Sequence, residues 1–175
     1  MKKKLITGLI LLLGYVSHSQ DTIKEDLKYT REIKKLATKK QVKTAFQLIL
    51  DLEPKTIKNQ IEMTEIEAPP FKEEKKALEF SKRLEQIGID KVWIDSIGNV
   101  LGLIKGYEGK RNVAIDGHLD TVFPEGTDVK VRIKNDTLFA PGIGDDTRGL
   151  AMLLTIAEVI KKSKIITRDN ILIIG

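Results

Sequence analysis

The sequence predicts an α/β fold, a layered mixed sheet flanked by helices. Three observations carry that expectation. Short strand-like runs alternate with amphipathic helical stretches from about residue 73 onward. The run Asn170–Ile174 is continuously apolar, as strands inside a sheet are. The stretch Arg148–Lys162 carries Leu150, Leu153, Leu154, Ile156, Ala157 and Ile160 on nearly every side, as a buried helix does. Composition agrees: 41% apolar and 31% charged residues over 175 positions describe an ordinary globular chain with room for one domain.

In chain order, residues 1–19 read as a secretory signal peptide: Lys2–Lys4, an apolar core Leu5–Val16, and a small-x-small pattern at Ser17-His18-Ser19 that leaves Gln20 first. That core falls short of the roughly 20 apolar residues a membrane span needs, so the membrane is met only during export, to the periplasm or beyond. Residues 20–53 form an N-terminal helical segment, charged from Asp21 to Lys40 and then amphipathic from Gln41 to Leu52, with Val42, Ala45, Phe46, Ile49 and Leu52 on one face. Pro54 suits the first turn of another short helix through Ile57 and Ile61. Residues 54–175 make up the rest of the chain.

Ala68-Pro69-Pro70 makes a stiff extended connection. Glu73–Gly88 is an amphipathic helix, with Ala77, Phe80, Leu84 and Ile87 on one face and Gly88 as its stop. Strands follow at Lys91–Ile94 and Val100–Ile104, joined by a turn at Ser96–Asn99. After a turn at Gly106–Gly109, Asn112–Ile115 reads as a buried strand. Val129, Val131 and Ile133 alternate with basic residues, so that strand has one wet face. Asn135-Asp136 turns the chain into Thr137–Phe139, and Ala140–Asp146 is a glycine-rich loop leading into the buried helix.

The net charge is +5, but Lys2–Lys4 supply three of those charges, and no Arg/Lys stripe is interleaved with aromatics. A nucleic-acid partner is therefore not expected. With no cysteine, disulfides and thiolate metal sites are excluded. Of the two histidines, His18 lies in the segment expected to be removed, so a metal site in the remaining chain must lean on carboxylates.

Two places carry chemistry. His118 and Asp120 follow a strand, where i and i+2 share a face, so they are expected side by side. An imidazole beside a carboxylate is a metal-holding arrangement in which the carboxylate fixes the histidine tautomer. Asp145-Asp146 opens the later helix. One aspartate there suffices to cap it, and the spacing of Gly142, Gly144 and Gly149 is not a dinucleotide fingerprint.

Together with Glu65-Ile66-Glu67-Ala68-Pro69-Pro70 and Gly98-Asn99, the stretches Gly117-His118-Leu119-Asp120-Thr121-Val122 and Gly142-Ile143-Gly144-Asp145-Asp146 resemble the peptidase M-twenty family. This family of co-catalytic zinc hydrolases includes carboxypeptidase G, peptidase T, aminoacylase and succinyl-diaminopimelate desuccinylase. The resemblance runs from about Pro54 to Gly175. It implies a zinc-exopeptidase-like catalytic domain, two zinc ions (cobalt or manganese as substitutes) and a peptide or N-acyl amino acid substrate. His118 would ligate one metal, and Asp120, the catalytic candidate, would orient it. Asp145 would bridge the two metals, and Asp146 is the alternative ligand, at a position where the family often has a non-proline cis peptide.

Family members also carry a Glu-Glu pair soon after the Asn170–Ile174 strand, one glutamate acting as general base. Further on come another carboxylate ligand, a final histidine, and an inserted lid or dimerisation domain. None of these occurs in the 175 residues, and Glu158 lies too far along its helix to substitute. The sequence therefore reads as a truncated, N-terminal part of such an enzyme, inactive by itself, with a homodimer expected only of a full-length form. The other reading is a non-catalytic metal-binding or interaction module.

Overall fold

The computed structural model describes residues 27–175; the signal-peptide expectation lies outside them. The elements are α1 (Leu27–Ala37), α2 (Lys40–Thr64), α3 (Glu74–Ile87), β1 (Lys91–Ile94), β2 (Val100–Ile104), β3 (Asn112–Asp116), β4 (Arg132–Lys134), β5 (Thr137–Phe139), α4 (Thr147–Ser163) and β6 (Asn170–Ile174). Four strands form one sheet in the order β1-β2-β6-β3, and β4-β5 is a separate hairpin. β2 pairs antiparallel with β1 and β6, whereas β3 runs parallel to β6. The sheet is therefore mixed.

Helices α3 and α4 cover one sheet face. Phe80 and Leu84 from α3, Leu150, Leu154 and Ala157 from α4, and Val100 and Ile173 from the sheet are fully buried there, joined by Met63 from α2. The periodicity that predicted α3 and α4 is this packing. Gly88 ends α3 in the left-handed conformation, φ 77°, which costs glycine little.

Three expectations differ from the structure. First, α2 is one helix of 25 residues with Pro54 inside it, not two helices meeting at Pro54; the boundary drawn between residues 53 and 54 falls within it. Proline removes one helical hydrogen bond, but packing of the second half against α4 outweighs that loss. The hydroxyls of Thr56 and Thr155 lie 2.6 Å apart, and Lys55 Nζ donates to Glu158 at 2.7 Å. The first half of α2 is unlike this: Ala45 is buried, while Phe46 and Ile49 are exposed. Second, β3 is not buried. Among the described residues it lies at the sheet edge, and Val113 is 55% exposed; only Ile115 packs against the core. Third, the strand expected through Val129 and Val131 is confined to Arg132–Lys134, because Val131 N donates instead to the Glu65 side chain.

Candidate metal centre

The loop that follows β3 carries His118. β3 ends at Asp116, so His118 and Asp120 sit beyond the strand and strand alternation is not what pairs them. A local turn does: His118 Nδ1–H faces both the Asp120 carbonyl, at 2.9 Å, and Asp120 Oδ1, at 3.2 Å. Two acceptors on one nitrogen fix the imidazole's orientation and leave Nε2 to face outward. His118 Nε2 lies 2.8 Å from Asp145 Oδ1, across 27 residues of sequence.

Burial pulls the His118 pKa down, but the Asp145 hydrogen bond, the Asp120 carbonyl and the charges of Asp120 and Asp146 outweigh it, so the imidazole titrates above its ordinary value. Between an imidazole nitrogen and a carboxylate at this distance there is room for a proton, or, after a small separation of the two, for a cation.

The two adjacent aspartates do different things. Asp146 is the N-cap of α4, accepting from Gly149 N at 3.1 Å. A Cβ on Gly117 would come within 2.7 Å of its other oxygen, so a larger residue there would push this carboxylate aside. The Asp145–Asp146 peptide is cis. Asp145 is 92% exposed at its side chain, and among the described residues it meets only His118.

Glu65 and Glu67, noted in the sequence only as part of a motif, hold the loop after His118. Glu65 accepts from Lys130 Nζ at 3.0 Å and Val131 N at 3.2 Å, Glu67 accepts from Gly126 N at 3.1 Å, and Lys72 pairs with Glu125. The Ala68 carbonyl accepts from Thr121 N at 2.7 Å. Glu158, set aside on its position, is buried and paired with Lys55 and Lys162, each at 2.7 Å.

Sequence reasoning missed Gln60, Arg148 and Lys76. Gln60 Nε2 donates to the Ile143 carbonyl at 2.8 Å. Arg148 donates to Gln60 and Glu53. Lys76 is buried in the first turn of α3, within electrostatic reach of Asp120. No local pattern announces these; each depends on a helix meeting a distant segment.

A cleft of about 770 Å³ opens beside this centre, lined by His118, Asp120, Asp116 and Asn99 and walled by Phe71 and Ile97. The donors suit a divalent cation: one imidazole nitrogen with its tautomer set, and one accessible carboxylate oxygen, a pairing compatible with zinc, cobalt or manganese. They are half of what a four-coordinate ion needs. Among the described residues no group of three or more His, Cys, Asp or Glu side chains converges.

Residues 114–175 match the model of Peptidase family M20/M25/M40, a stretch that holds the His118 loop, both aspartates, α4 and β6. The chain is also 40% identical over 93 residues to a Pyrococcus abyssi protein named for LysW-lysine and LysW-ornithine hydrolysis, covering 53% of this chain and 26% of that one. It is 38% identical over 66 residues to carboxypeptidase G2 of a Pseudomonas species, covering 37% and 16%. The chain thus spans about a quarter or less of the length of these relatives.

Among solved structures, human carnosine dipeptidase 1 is similar with TM-score 0.63 and 16% identity, over 75% of this chain and 33% of that one. The Saccharomyces cerevisiae dipeptidase Dug1p gives 0.61 and 21%, with the same coverage. These likenesses concern the fold: this chain shares the α/β architecture of part of each of those chains.

Proposed function

We propose that this chain carries the first metal-binding portion of an exported, zinc-dependent M-twenty hydrolase that cleaves peptide or acyl-amino-acid amide bonds. The observation that carries the reading is the line Asp120–His118–Asp145, with hydrogen-bond distances of 3.2 and 2.8 Å. The family match and the catalytic names of its relatives support it.

In this reading His118 Nε2 and Asp145 would hold zinc, with cobalt or manganese as substitutes. Bound there, such ions lower the pKa of a water and polarise the scissile carbonyl. Asp120 keeps the His118 proton on Nδ1, so that Nε2 offers its lone pair. Asp146 holds the start of α4, and with it the backbone that carries Asp145. The general base and the remaining ligands are assigned to residues beyond those described, as in the family's Glu-Glu pair. The substrate is a peptide or N-acyl amino acid, and pairing into a homodimer belongs to a longer form. A non-catalytic metal-binding module is the second reading, favoured by the lack of a third converging donor among the described residues.

Zinc titration by calorimetry tests the metal site. With two protein donors, binding at roughly micromolar affinity is expected, and His118→Ala should abolish it. A wild-type chain that binds no zinc would overturn the proposal. Hydrolysis assays on the product purified from its source cells separate the two readings: zinc-dependent cleavage of peptides or N-acyl amino acids supports the enzyme. N-terminal sequencing of that product tests export, with Gln20 expected as its first residue.

A further inference from the structure

We propose that Gln60 is a positioning residue for the metal loop, one amide on α2 that grips the Gly142–Asp146 backbone and so places Asp145 against His118. The consequence for metal rests on the function proposed above; the grip itself does not.

Asp145 does not fix its own position. Its side chain is 92% exposed and meets only His118 among the described residues. The backbone that carries it is weakly self-supported. Ile143 N to Ala140 O and Thr147 N to Gly142 O are both long, at 3.4 Å. Gly142 and Gly144 flank Ile143, and glycine restrains a backbone least. Something outside the loop must hold it.

Gln60 is placed to do so. It is 8% exposed and uses both ends of its amide. Nε2 donates to the Ile143 carbonyl at 2.8 Å, two residues before Asp145. Oε1 accepts from Arg148 Nη1 at 3.3 Å, two residues after Asp146. Both sides of the aspartate pair are thus tied to one side chain. Arg148 is a cation in the first turn of α4, where the helix dipole disfavours it; Glu53, one α2 turn pair away, accepts from its Nη2 at 3.1 Å and offsets that cost. The Thr56–Thr155 and Lys55–Glu158 contacts seat α2 on α4, so Gln60 projects from a fixed platform.

The test compares Gln60→Leu and Gln60→Glu with the wild-type chain. Leucine removes both bonds. Glutamate keeps an acceptor for Arg148 but has no donor for the Ile143 carbonyl. Amide exchange at Ile143 and Thr147 should quicken about tenfold or more in both variants, with exchange in the body of α4 unchanged. Zinc affinity should fall roughly 10- to 100-fold, the usual cost of losing a group that orients ligands. The melting temperature should not account for that fall, since a purely structural role would weaken zinc only in proportion to the unfolded fraction. Wild-type exchange and affinity in Gln60→Glu would overturn the proposal, and so would unchanged loop exchange in Gln60→Leu. If Gln60→Leu does not fold, Gln60→Glu alone decides. If the wild-type chain binds no zinc, the function proposed above fails, and loop exchange still decides whether Gln60 holds the loop.

Discussion

Lys76 is 1% exposed, in the first turn of α3. Burial draws its pKa down to about 8, with the Asp120 charge pulling the other way. A folded-state pKa below the unfolded value means that the unfolded chain holds more protons between about pH 8 and 10.5. Stability therefore rises with pH across that window, and below it the fold carries the whole cost of a buried ammonium. Lys76→Met should stabilise the chain by roughly 2–3 kcal/mol at pH 7 and flatten the rise between pH 8 and 10; urea melts at several pH values read both. The aspartate pair separates in the same way. Asp146→Ala should cost about 1 kcal/mol of stability, since it removes the α4 cap, whereas Asp145→Ala should stay within about 0.5 kcal/mol of wild type and lose zinc binding. Paired melts and titrations check the split. Two aspartates before an apolar helix were legible as a cap plus something else; that Asp146 caps and Asp145 faces His118 depends on a contact 27 residues away, which no local pattern encodes.

Among the elements, α3 and α4 were legible almost to the residue, because their apolar spacing is the packing that stabilises them. α2 was not. Read locally, Pro54 starts a helix; in the fold it sits mid-helix, since Thr56, Gln60, Met63 and Thr64 are all buried and hold the second half in place. Pro54→Ala restores the missing donor toward Leu50 and should raise stability by about 1–2 kcal/mol, seen as a higher melting temperature with an unchanged far-ultraviolet spectrum. β3 shows the opposite error. Its apolar letters suggested a buried strand, yet burial belongs to the neighbours a strand acquires, and β3 has one strand neighbour among the described residues.

For the whole molecule, the α/β class was legible because helix and strand periods alternate along the chain. The strand order was not, because β6 inserts between β2 and β3 and pairs antiparallel with one and parallel with the other. Neighbours in the sheet here are not neighbours in sequence. This has a consequence for synthesis on the ribosome. β2 can pair with β1 as soon as it emerges, but β3 emerges well before β6 and has no ladder to join among the described strands until β6 arrives. The apolar face of α4 also emerges before the central strand it covers. The nascent chain must therefore keep that face from adventitious partners for as long as translation takes to reach residue 174, and slowing elongation between α4 and β6 would lengthen the interval in which chaperones, rather than the fold, keep it soluble.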